Sequence, residues 1–193
     1  MKDKIRLKTT FFLILISSFF FMVSLAGWKV SFLEISSKKS GTIISTPCPD
    51  GQKINTRYIH SVELTPVEDY YIITGDRMWS WEERVRSSKA GMPQEVPVNG
   101  RFIDTGEWLI YQGGRIFWDI YFYRIGDKNL GLNQADIHPY GLKDFYKIFT
   151  GERLVVEIKH KLYLYSKPFL SDKFREAPSG VKKINEPVNK YIY

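Results

Sequence analysis

The stretch VEDYYIITGDRMWSWEERVR, Val67–Arg86, decides the fold. Its first half is dense in aromatic and β-branched side chains. Its second half sets Trp79 and Trp81 between polar neighbours. Alternation with period two marks a strand that buries one face. Gly75-Asp76 between the halves is the two-residue link that a primed hairpin turn requires, because its central positions need positive φ. The hairpin then pairs Thr74 with Arg77 and Ile72 with Trp79. Carried on by the same count, the register sets Tyr70 opposite Trp81 and Glu68 opposite Glu83.

The pattern continues on both sides. Lys53–Val62 carries Ile54, Tyr58, His60 and Val62 on alternate positions. Glu107–Gln112 and Arg115–Ile125 read as another strand pair, linked at Gly113-Gly114. In Arg153–Tyr165, Leu154, Val156, Ile158, His160, Leu162 and Leu164 share one face. Asp104–Gly106, Asp127–Gly131 and Thr150-Gly151 mark further turns. After residue 30 only Tyr140–Phe149 suggests a short helix. The expected fold is mainly β, an antiparallel β-sandwich or barrel-like domain over residues 29–165. Residues 166–193, with Pro168, Pro178 and Pro187 among scattered charges, read as an irregular tail.

One N-terminal transmembrane helix is expected to precede that domain, within residues 1–28. Thr9–Trp28 is uncharged and holds the runs Phe11–Ile16 and Phe19–Val23. Twenty helical residues span about 30 Å, the thickness of a bilayer core. Lys2, Lys4, Arg6 and Lys8 precede the stretch, so the positive-inside rule puts the amino terminus in the cytoplasm. Two readings compete: a retained signal anchor, or a signal peptide cleaved after Ser24-Leu25-Ala26. Both export the domain. The first gives a single-pass protein of the cell membrane with its C-terminal domain extracytoplasmic; the second gives a secreted one.

The chain has 193 residues and a formal net charge of +7, which at first suggests nucleic acid. The charge is mostly terminal, however. Residues 1–8 and 166–193 each carry +3, and residues 29–165, with 18 basic and 17 acidic side chains, carry only +1. A nucleic-acid interface needs a basic face on the folded body, so no nucleic-acid partner is expected. A single cysteine, Cys48, excludes a disulfide scaffold and a zinc-cysteine centre. Set between Pro47 and Pro49, it reads as an unpaired thiol in a turn. The sequence names no cofactor and no metal.

The candidate binding residues are His60, Ser61, Glu63, Thr65, Glu68, Glu83 and Gly91. His60 and Ser61 are adjacent on an expected strand, so their side chains point to opposite faces and cannot form a nucleophile–base pair. No nucleophile elbow surrounds Ser61. A wide turn at Thr65-Pro66 sets Glu63 opposite Glu68, and the hairpin register then gathers Glu63, Glu68 and Glu83 on one face. His60, Asp69 and Glu82 fall on the other. Like charges directly across strands repel, so such a trio either holds a cation or a cationic or hydroxylated ligand, or lies on a solvated rim beside Arg84, Arg86 or Lys89. No catalytic residue is assigned, and a non-enzymatic role is favoured.

At His60-Ser61-Val62-Glu63, followed by Thr65-Pro66 and Glu68, and again at Ala90-Gly91-Met92-Pro93, the chain resembles the domain-of-unknown-function family 1850 of small exported bacterial and archaeal proteins. The resemblance spans roughly residues 30–165. Lys89 stands where that family more often has glycine, so the loop there is expected to differ in shape. The family brings no established activity and therefore no catalytic residues. It implies a neighbourhood: its members tend to be encoded beside TRAP-type (TAXI) solute transporters. A membrane-anchored extracytoplasmic accessory protein is then expected, its partners the membrane, through the N-terminal helix, and the transporter's membrane subunit or solute receptor. The alternative is a ligand-binding or hydrolytic domain that uses His60, Ser61 and the clustered glutamates.

Overall fold

The computed structural model describes residues 2–27, 29–87, 95–127, 131–162 and 166–176. A helix, α1 (Lys2–Ala26), leads into antiparallel β-structure. One sheet has five strands in the order β13 (Phe169–Leu170), β2 (Gly41–Pro47), β1 (Lys29–Ser37), β12 (Arg153–Leu162) and β9 (Ile120–Arg124). The other has eight. Its main path runs β11 (Gly141–Asp144), β10 (Gln134–Ile137), β3 (Lys53–Ile59), β4 (Pro66–Thr74), β5 (Arg77–Val85), β7 (Leu109–Gly113) and β6 (Gly100–Asp104), and β8 (Phe117–Trp118) pairs with β5. Among the described residues, no helix is long and apolar enough to cross a membrane.

Both sheets feed one core. Leu33, Ile35, Ile44, Tyr123, Leu154 and Val156 of the smaller sheet join Ile54, Tyr71, Ile73, Met78, Ala135 and Ile137 of the larger. Phe145, on the one-turn helix α2 (Phe145–Ile148), and Phe149 just after it are fully buried in the same cluster. The Tyr123 hydroxyl ties the sheets together, set within 3.1 Å of the Arg57 carbonyl and 3.0 Å of the Gln134 carbonyl. The β12 periodicity is realised in full register against β1, from Lys29 opposite Leu162 to Ser37 opposite Leu154.

Three differences from the sequence reading matter for the site. The first concerns the Gly75-Asp76 hairpin. It forms with Thr74 opposite Arg77 and Ile72 opposite Trp79, but an irregularity between Tyr70 and Tyr71 absorbs Trp81 as an extra residue. Beyond that bulge Tyr70 faces Glu82, Asp69 faces Glu83 and Glu68 faces Arg84. A bulge adds one residue to one strand and so exchanges its faces. Second, Gly113-Gly114 is a kink and not a hairpin. β7 and β8 lie end to end along one edge of β5, both antiparallel to it. Both glycines take positive φ, +86° and +85°, and a Cβ on Gly114 would sit 2.8 Å from Pro97 Cβ. Close approach of the 97–100 segment is what requires glycine there.

Third, Arg115–Ile125 is two strands. The chain leaves β5 after Trp118 and joins β12 from Ile120, with Asp119 at the crossing held by Arg77 at 2.8 Å. The folded body also runs past residue 165. β13 pairs with β2, and Phe174 on α3 (Lys173–Glu176) packs edge-on against Phe145 at 5.1 Å. Residues 177–193 lie outside the described residues.

Candidate functional site

Glu68-Asp69 and Glu82-Glu83 are consecutive acidic pairs on neighbouring strands, so each strand must turn one carboxylate to each face. The bulge decides which. On the outer face, Glu68 stands between Arg57 and Arg84 in register and is buried with both guanidinium groups around it. The Tyr70 hydroxyl donates to Glu68 at 2.8 Å, and Arg84 lies 4.5 Å over the Tyr70 ring. Glu82 takes hydrogen bonds from Arg84 Nε and from Gln112 Nε2. These charges alternate in sign across the strands and offset one another, which is a structural ladder.

The inner face is different. Thr56, Asp69, Glu83 and Tyr111 stand side by side across β3, β4, β5 and β7. Thr56 Oγ1 donates to Asp69 at 3.3 Å. Burial, reinforced by the Glu83 charge, pushes the Asp69 carboxyl up to about 7. Burial also raises Glu83. Tyr58 and Tyr71 lie well above the ordinary phenol range, first through burial and then through the field of Asp69. The same two causes push Tyr121 up to about 12. This gives an acidic pair walled by tyrosines. Among the described residues, no group of three or more His, Cys, Asp or Glu is placed to hold a metal ion.

The expected trio is therefore dispersed. Glu68 lies outward in ion pairs and Glu83 lies inward beside Asp69. Glu63 is opposite neither, because Arg57 takes the place across from Glu68. β3 ends at Ile59, so His60–Thr65 is a six-residue loop and not the end of a strand. His60 organises it. Its N–H donates to the Thr65 carbonyl at 2.9 Å, its carbonyl accepts from Leu64 at 2.9 Å, and its Nδ1 accepts from Glu63 N–H at 3.2 Å. An Nδ1 that accepts places the imidazole proton on Nε2. Leu64 closes the loop at φ 51°.

His60 and Ser61 do share a cavity of about 520 Å³, bounded by Tyr58 on one side and by Arg124–Asp127 and Asn133 on the other. It lies where the end of β3 meets the end of β9. Ser61 is exposed, and among the described residues no hydrogen bond joins it to a base. His138 lines a separate cavity, and His160, expected on the apolar face of β12, is exposed at its end and touches Ser31 Oγ at 3.3 Å. Cys48 is a free, fully buried thiol. Gly91 and the rest of Ala90-Gly91-Met92-Pro93 lie outside the described residues.

No curated protein and no solved structure matches the chain. Residues 54–138, from β3 to the cis His138–Pro139 bond, match the model of the family described as domain of unknown function DUF1850, a narrower span than the motifs alone suggest and one that contains His60, Ser61, Asp69 and Glu83; in this region the chain resembles that family.

Proposed function

We propose that the chain is a non-enzymatic accessory protein, anchored by α1 in the cell membrane with its amino terminus in the cytoplasm. Its two-sheet body, a β-sandwich, then stands on the extracytoplasmic side and serves a TRAP-type (TAXI) solute transporter. The observation that carries this reading is the surface of α1. From Phe11 to Val23 its large apolar side chains are between 37% and 67% exposed, on every side of the helix. A helix apolar all round needs an apolar surrounding. The uncharged part of α1, Thr9–Ala26, is about 27 Å long at 1.5 Å per residue, close to the roughly 30 Å of a bilayer core. Among the described residues no base is hydrogen-bonded to Ser61, and a role in binding is favoured over one in catalysis.

Purification of the full chain in mild detergent from its native cells tests the reading. The transporter's membrane subunit or its solute receptor should come with it. A chain that purifies alone at low salt contradicts the accessory role. A second reading, a ligand-binding domain, is favoured by the His60–Ser61 cavity. Saturable binding that Ser61→Trp abolishes without loss of folding supports it.

A further inference from the structure

The outer face of the larger sheet carries a second hollow, which the family resemblance does not address. It measures about 420 Å³, and Lys53, Asn55, Tyr70, Asp136 and His138 line it. The register explains why these side chains converge. Asp136 stands opposite Asn55 and Asn55 opposite Tyr70, in one row across β10, β3 and β4. Lys53 lies two residues before Asn55 and His138 two after Asp136, so period two turns all five to the same side.

The polar groups in this hollow are not used up by one another. Lys53 and Asp136 bear opposite charges, yet neither forms an ion pair with the other or with any described residue, and both are exposed. Asn55 lines the hollow between them, its Oδ1 closed to solvent. The Tyr70 ring, held through its hydroxyl by Glu68, forms a fixed wall. One positive and one negative charge, unpaired on the same hollow, match a molecule that carries both charges.

We infer that this hollow binds a small zwitterion of the α-amino-acid type. Lys53 takes its carboxylate, and Asp136 takes its ammonium group. The volume lies within the range of small-molecule sites, about 300–1,000 Å³. The inference is compatible with a solute-transport accessory but does not rest on it: the site is tested on the isolated chain, and failure to recover a transporter leaves it untouched.

The experiment is isothermal titration of the full chain in detergent with each of the twenty common L-α-amino acids. The tightest binder is then compared with its deaminated and decarboxylated analogues. At least one amino acid should saturate the chain at one site, and each analogue should bind at least tenfold more weakly. Lys53→Gln and Asp136→Asn should each weaken the amino acid at least tenfold. Asp136→Asn should also erase the preference over the deaminated acid, which simple misfolding cannot do. An unchanged denaturation midpoint confirms that the variants fold. Absence of saturable binding for all twenty, or variants that bind as the parent does, overturns the inference.

Discussion

Replacing Asp69 by asparagine isolates a carboxyl whose titration falls near neutrality. In the folded chain that carboxyl sits at about 7 against an ordinary 3.8, because burial and the Glu83 charge disfavour its ionised form. The folded state therefore holds a proton between about pH 4 and 7 that the unfolded chain has released. Stability contributed by this proton is full below pH 4 and is lost as pH rises through 7. Each pKa unit corresponds to about 1.4 kcal/mol, so three units set a ceiling of roughly 4 kcal/mol. Residual solvent contact at Asp69 brings the expected loss to about 2–4 kcal/mol. Asparagine keeps an oxygen for the Thr56 hydroxyl and cannot ionise. Urea unfolding of the full chain in detergent, followed by tryptophan fluorescence at pH 5, 6, 7 and 8, reads the difference. The parent should lose stability across that range relative to Asp69→Asn, and the variant should be the more stable at pH 8. Glu83→Gln removes the repulsion, so Asp69 should titrate lower and the loss should end at lower pH. Parallel profiles for parent and Asp69→Asn would refute the buried acidic pair.

Two further outcomes follow from the same geometry. Glu68→Ala leaves Arg57 and Arg84 without their buried carboxylate and should cost about 1–3 kcal/mol, whereas Glu63→Ala, in the loop, should stay within about 0.5 kcal/mol; equal effects in urea unfolding contradict the outer ladder. Burial pushes the Cys48 thiol up to about 12, so at pH 8 iodoacetamide should label the native chain slowly and the urea-unfolded chain rapidly, and fast native labelling counts against its place in the core.

Strand content and the hairpin at Gly75-Asp76 were legible because period two and turn chemistry are local signals. β12 was legible for the same reason, over ten residues. β1 carries no period-two signal because it is buried on both faces. Its run Phe32-Leu33-Glu34-Ile35 does not alternate, and Glu34 is buried only because Lys159 and Lys161 reach it at 2.6 and 2.7 Å. The candidate site failed at a single residue. Nothing local to Trp81 announces a bulge, yet that one extra position moved Glu83 inward and placed Arg84 opposite Glu68. Pairing across sheets is likewise a long-range property, so the split of Arg115–Ile125 at Asp119 had no local mark. The place of His60 in its loop comes from hydrogen bonds of its ring and backbone to Glu63, Leu64 and Thr65, which no local pattern announces.

The export of the β-domain is tested most directly by labelling Asp76→Cys with a membrane-impermeant maleimide on intact cells. Asp76 is at the hairpin tip with its side chain 71% exposed, and the native Cys48 is buried and adds little background. Labelling in intact cells, with the labelled chain remaining in the membrane pellet after an alkaline wash, is the predicted result. Labelling only after the cells are opened contradicts it.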